Sequence, residues 1–218
     1  KSLAFLLDRQ RRKHLRAGFE RAYAAQIERG VRQVFHGRLL EGIRRLKGCG
    51  VGLTPGGDDF IAGLLIGLHL RQKLCDQDLR SVRARIFRVA RGNNIFSNTI
   101  LDLARRGLVS GPMRDLILAL MAGIGEPVRQ AVAHLCALGA TSGADMATGL
   151  LLTLQARART DARRLERPTR KPAGYARCPR RAPKTFMKAA SRLGSSAPRK
   201  RPHSRKVEPT MNPSASGK

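Results

Sequence analysis

Along residues 3–34 the apolar side chains recur at steps of three and four (Leu3, Leu6, Leu7, then Leu15, Phe19, Tyr23, Ile27 and Val31) among many basic ones. That period predicts an amphipathic helix, with Gly18 and Gly30 as its weak points. A shorter helical stretch, RLLEGIRRL, leads into a glycine-rich turn. The run after that turn, from about Asp58 to Leu74, is apolar nearly all round and predicts a helix in the middle of the domain. Gly63 and Gly67 stand four apart on one of its faces, where another helix can approach closely. Further helices are predicted over residues 79–91, 95–106, 112–122, 126–138 and 144–157, separated by the turn signals RGNN, RGLVSGP, GIGEP and LGATSGAD. Pro112 and Pro127 fall in first turns, where a helix tolerates proline. Strand-type alternation is almost absent from residues 1–157, so the expected fold is all-α.

Charge then divides the chain. Residues 157–218 carry 19 Lys and Arg against 3 Asp and Glu, which places +16 of the net +28 there, together with eight of the eleven prolines. A segment such as RPTRKPAGYARCPRRAPK has too little apolar surface to offset its ordering entropy. The expected organisation is a compact helical domain over 1–157 and a disordered basic tail over 158–218. Out-of-frame reading of a GC-rich gene would give the same Arg, Pro, Ala and Ser richness, so a frameshifted tail and a genuine basic tail stand as alternatives. The chain begins at Lys1 rather than Met, and the domain is expected to be truncated or processed at that end.

The four cysteines (Cys49, Cys75, Cys136 and Cys178) form no CxxC pair, so neither a zinc site nor a disulfide framework is indicated, and a reducing cytoplasm is the expected setting. The apolar run from Phe60 to Leu70 is too short to span a bilayer, which needs about 20 apolar residues, so no membrane association is expected.

The turn before the central helix has an echo. GLTPGGDDFIAGLLIGL from Gly52 aligns, with one gap, to GATSGADMATGLLLTL from Gly139, so that Gly52, Thr54, Gly57, Asp59, Gly63, Leu64 and Leu65 fall on Gly139, Thr141, Gly143, Asp145, Gly149, Leu150 and Leu151. Two equivalent elements packed in one core, and a paired site, are therefore expected. The first N–H groups of a helix attract a phosphate or carboxylate, and a glycine-rich approach leaves room for one. Thr54, Gly52, Gly56 and Gly57 in the first turn, with Thr141, Ser142 and Gly143 in the second, are the candidate binding residues. Asp58, Asp59 and Asp145 are the candidate catalytic residues: they can accept hydrogen bonds from an amide or amine of the same ligand, and Asp58 with Asp59 can instead hold Mg²⁺. An aspartate at a helix start is also favoured by about 1 kcal/mol as a cap, which accounts for Asp58 or Asp145 taken singly. Adjacent aspartates in a doubled motif favour more than capping for Asp59.

Other polar candidates are thinner. Asn93, Asn94, Ser97 and Asn98 open a helix and can line the same pocket or merely cap it, and Ser97 is kept as a binding candidate. His69 and His134 lie within apolar helices with no paired nucleophile and read as packing residues. GVGLTPGGDD lacks GK[ST] and follows no strand, so it is not a nucleotide-hydrolysing loop.

GVGLTPGGDDFIAGLL, a Ser97-containing helix ending LARRG, and LGATSGADMATGLL, in that order and over roughly residues 35–155, resemble the AllH-type subunit family of oxamate carbamoyltransferase. Position 56 is Gly where that family often has Ser. The resemblance implies a subunit working with two other carbamoyltransferase subunits in allantoin and purine catabolism, where oxalurate and phosphate are interconverted with oxamate and carbamoyl phosphate. These ligands combine an anionic end with an amide, as the candidate residues require. Two other function classes remain open. One is a basic protein binding nucleic acid nonspecifically through its tail, where only Tyr175 and Phe186 are available to stack on bases. The other is a non-catalytic structural subunit whose paired turns only pack helices.

Overall fold

The computed structural model describes residues 2–8, 10, 18–123 and 125–156. The expected tail, residues 158–218, lies outside them. Helices and turns make up the described residues, without a strand among them. A 3-10 turn over Leu3–Leu6 precedes α1 (Phe19–Phe35), α2 (Leu39–Leu46), α3 (Gly56–Cys75), α4 (Arg80–Ala90), α5 (Ile95–Arg106), α6 (Gly111–Ala122), α7 (Gly125–Cys136) and α8 (Ser142–Gln155).

One continuous helix over residues 3–34 does not form. Gly18 takes φ 77°, a left-handed value outside the helix, and α1 starts only after it. Ahead of it, Leu3, Ala4 and Phe5 are buried in a separate turn that rests against α8. The other expected weak point, Gly30, stays inside α1. A β-carbon there would stand 2.8 Å from the Leu46 side chain, and one at Gly42 would stand 2.6 Å from the Gly30 carbonyl, so these glycines let α1 and α2 close on each other.

α3 forms the centre. From Gly56 to Leu68 every residue is buried, which is the outcome its all-round apolarity implies. Its largest contact is with α8, and the two helices cross backbone to backbone. A β-carbon on Gly63 would lie 1.9 Å from the Met146 carbonyl oxygen and 2.9 Å from Leu150 N. One on Gly149 would lie 2.1 Å from the Phe60 carbonyl oxygen and 3.0 Å from Leu64 N. Under the alignment of the two motifs Phe60 matches Met146, Gly63 matches Gly149 and Leu64 matches Leu150, so each contact is the mirror of the other. Such reciprocity defines a two-fold relation, here within one chain.

The duplication reaches further upstream than the sequence comparison does. Gly57 abuts the Leu46 carbonyl oxygen and donates its N–H to Cys49 O (2.8 Å), while Gly143 abuts the Leu135 carbonyl oxygen and donates to Leu138 O (3.3 Å). The repeating unit is thus a helix–turn–helix, α2–α3 and α7–α8, whose first turn is three residues longer than its second between these bonded groups. That length difference hides the relation from an ungapped alignment.

A buried arginine ties the flank of α3 to its neighbours. Arg83 of α4 donates to His69 Nδ1 (2.9 Å), to Gln72 Oε1 (3.0 Å) and to the Arg105 carbonyl of α5. Arginine has only donors, so His69 accepts at Nδ1 and is the Nε2–H tautomer. Burial, then the Arg83 and Lys73 charges, hold its imidazole below the usual range, so His69 is a neutral packing residue. We expect Arg83→Leu to cost about 3 kcal/mol, since it leaves three half-buried acceptors on two helices without their donor. The urea midpoint is the measurement, and an unchanged midpoint would show that water replaces the guanidinium at no cost.

Candidate functional site

The two glycine-rich turns meet where α3 and α8 begin. Asp59 and Asp145 are each 1 % exposed although they open their helices. In the first half the Thr54 hydroxyl donates to Asp59 Oδ2 (3.0 Å), and in the second the Thr141 hydroxyl bonds the Asp145 carboxylate. The halves are joined across the axis by Thr54 Oγ1 and Ser142 Oγ, 3.0 Å apart, and Ser142 also hydrogen-bonds Asp59. Six of the candidates, Thr54, Gly56, Asp59, Thr141, Ser142 and Asp145, are therefore brought together, with Gly56 lying directly under Asp145: a β-carbon on Gly56 would stand 2.7 Å from Asp145 Oδ2.

Asp58, Gly57, Gly143 and Gly52 make contacts within the scaffold. Asp58 turns back to accept the Gly48 N–H (2.7 Å), which fixes the exit of α2. Gly57 and Gly143 are the points where each helix touches its predecessor, and their N–H groups go to Cys49 and Leu138 rather than into the site. The Asp58 and Asp59 N–H groups both point to Pro55 O, and that of Asp145 to Thr141 O. Gly52, at φ 114°, supplies a backbone conformation that a side chain would strain. Asn94 caps α5 by accepting the Ser97 N–H (3.1 Å) and donates to Leu53 O (2.7 Å), which moors the start of α5 to the first turn. Asn98 is occupied with both backbone groups of Gly92.

The electrostatics follow from enclosure. Burial pushes the Asp59 carboxyl up to about 6, against the hydrogen bonds from Ser142 and Thr54 that favour its charge. Burial likewise pushes Asp145 up to about 7, opposed by the Leu3 N–H and the Thr141 hydroxyl and reinforced by the Asp59 charge. Asp145 is thus tied at Oδ1 to the first buried turn of the chain. Of the four buried side-chain polar atoms without a partner among the described residues, two belong to candidate residues: Asp59 Oδ1, and the hydroxyl of Ser97, itself 4 % exposed. Both can accept a hydrogen bond. Among the described residues no three His, Cys, Asp or Glu side chains are placed to hold a metal ion together.

Sequence reasoning missed Tyr23. Its spacing on α1 marks it as one more apolar-face position, yet its hydroxyl lies 3.2 Å from the β-carbon position of Gly56 and 3.3 Å from that of Gly50. Burial, then the charges of Asp145, Cys49 and Asp59, push its phenol further above its ordinary range, so it remains a proton donor. Only the closure of α1 onto α2 at Gly30 and Gly42 brings it there, and helical spacing carries no trace of that closure. Around the turn the surface is apolar: Val51 and Leu53 on the loop and Ile95 and Phe96 at the start of α5 are exposed. A cavity of about 270 Å³ between α2 and α4, lined by Arg38, Glu41, Arg44, Val82 and Arg85 among others, includes none of these residues.

No helix among the described residues is long and apolar enough to cross a membrane. No curated protein and no solved structure matches the chain. Residues 46–154, which run from the end of α2 through the second turn to α8 and so contain both glycine-rich motifs, match the family described as oxamate carbamoyltransferase subunit AllH, and the chain belongs to that family.

Proposed function

We propose that this chain is the subunit that holds the carbamoyl-bearing ligand when oxalurate and phosphate are interconverted with oxamate and carbamoyl phosphate. The observation that carries the reading is Asp59 Oδ1, a buried acceptor without a partner at the junction of two Thr–Asp pairs. Oxamate, oxalurate and carbamoyl phosphate each present an NH₂ that would complete it. Donors at the turns are largely engaged already, with the Thr54 and Thr141 hydroxyls given to carboxylates and the Gly57 and Gly143 N–H groups given to carbonyls. This favours an amide at the carboxylates over an anion. It also favours an amide over Mg²⁺, because Asp58 faces Gly48 rather than its neighbour's free oxygen.

In such a transfer the oxamate amide nitrogen attacks the carbamoyl carbon, the C–O bond to phosphate breaks, the nitrogen gives up a proton and phosphate leaves; orientation with charge stabilisation would supply most of the acceleration. A family of subunits implies partner subunits, and two of them are expected to complete the machinery. A cytoplasmic setting belongs to the same reading. The rival reading as a nonspecific nucleic-acid binder rests on residues 158–218, outside the described residues.

Thermal unfolding with carbamoyl phosphate, phosphate, oxamate and oxalurate, each with and without Mg²⁺, tests the reading. A ligand at a hundred times its dissociation constant should stabilise the parent by about 2.7 kcal/mol, a shift of a few degrees, and Asp59→Asn should lose that shift. An equal shift in the variant would remove Asp59 from the site. No shift from a folded parent would favour a subunit whose paired turns only pack helices.

A further inference from the structure

The two-fold relation sets Gly56 opposite Ser142, because Gly57 and Gly143 occupy the same place in their helices. Ser142 gives its half a hydroxyl, shared between Asp59 and Thr54. Gly56 gives its half none. Gly56 is instead met from α1 by Tyr23, whose hydroxyl and Asp145 Oδ2 close on it, 3.2 and 2.7 Å from the position a β-carbon would take. The ring is held half-buried and stacked on Phe19, with centroids 6.5 Å apart and planes 12° from parallel. Among the described residues no group accepts a hydrogen bond from the Tyr23 hydroxyl, whereas the Thr54 and Thr141 hydroxyls are committed to carboxylates.

We propose that Tyr23 is a substrate-binding residue of this site, donating its phenolic O–H to the carbonyl oxygen of a carboxamide or carbamoyl group whose NH₂ is accepted by Asp59. The inference rests on the carbamoyl reading above and adds the other half of the recognition. A primary amide displays one acceptor and two donors side by side, and an unpartnered phenol in the same site as an unpartnered carboxylate oxygen is complementary to both. A carboxylate in the same place would set its oxygens against Asp59 and Asp145, so the pair selects amide over acid. The raised phenol pKa keeps the proton available at any physiological pH. As the carbonyl oxygen gains negative charge during attack on its carbon, the same O–H would stabilise it.

The test is calorimetric binding of oxamate and of oxalate to the full-length chain, as parent, Tyr23→Phe and Asp59→Asn, with the unfolding midpoint of each. The expected result is oxamate bound in preference to oxalate by the parent, about tenfold weaker oxamate binding in Tyr23→Phe, and an unfolding temperature within a few degrees of the parent, since the hydroxyl removed has no hydrogen-bond partner among the described residues. Parent-like oxamate affinity in Tyr23→Phe, with binding lost in Asp59→Asn, would overturn the role of Tyr23 and leave the carbamoyl reading standing. A large fall in unfolding temperature with the oxamate-to-oxalate ratio unchanged would make Tyr23 a structural prop and overturn the proposal in the same way. No oxamate binding by the folded parent would overturn both.

Discussion

A Gly149→Val chain is expected to lose at least about 4 kcal/mol of stability, a large share of the roughly 5–15 kcal/mol that holds a domain of this size together. The first added carbon would already stand 2.1 Å from the Phe60 carbonyl oxygen, a backbone atom that cannot swing aside. Relief requires α3 and α8 to separate, and that opens the contact in which Phe60, Ile61, Leu64, Leu65, Ala147, Leu150 and Leu151 are buried. Because the contact is reciprocal, Gly63→Val should cost a similar amount. Gly111→Ala provides the comparison, since nothing lies within 4 Å of a β-carbon there, and its effect should stay below about 1 kcal/mol. Urea midpoints of the three variants decide the matter. A Gly149→Val midpoint close to the parent's would mean that the two helices can slide apart without loss.

The helical architecture was legible because its signals are local. α5 runs from Ile95 to Arg106 as predicted, between an Asn94 cap and Gly107 at φ 81°. α3 begins two residues before its predicted start, since Pro55 rather than Asp58 precedes its first turn. The failure over residues 3–34 has a physical cause of longer range. Leu3 keeps the apolar period of a helix, but it opens a 3-10 turn, Leu3–Leu6, whose first N–H is held by Asp145, 142 residues away, and Gly18 at φ 77° breaks the period again before Phe19. In the site, the paired aspartates and the duplication could be read from residue order. The alignment also set Asp59, not Asp58, against Asp145; that Asp58 turns back to the Gly48 N–H could not be read, because it depends on the direction in which α2 leaves Gly48.

Stability should fall as the solution is made more alkaline between about pH 4 and pH 7. A carboxyl in the unfolded chain titrates near 3.9, whereas Asp59 and Asp145 in the fold titrate near 6 and 7. Over that interval the native state holds protons that the unfolded chain has already released, so their contribution is complete at the acid end and is lost as pH rises through the folded values. The decline should be on the order of a few kcal/mol, larger than most single interactions in the domain. Asp145→Asn should flatten much of it, because the amide is neutral at every pH and its oxygen can still accept the Leu3 N–H. Urea denaturation of both chains at pH 5 and pH 8 gives the comparison. Equal slopes against pH in parent and variant would show that Asp145 is ionised in the fold throughout.

The unequal lengths of the two turns bear on more than alignment. A scaffold built of matched halves would offer matched ends, which suits a symmetrical guest. The longer turn before α3 ends with Thr54 bonded to Ser142 of the second half, and Gly56 offers no hydroxyl in return. One carboxylate is consequently left with an open oxygen, while the other is fastened to the first turn of the chain and faced by a phenol. Polarity, and with it a preferred orientation for whatever lies between the halves, thus arises where the turns enter their helices, from unequal loop length together with Gly56 standing where the other half has Ser142.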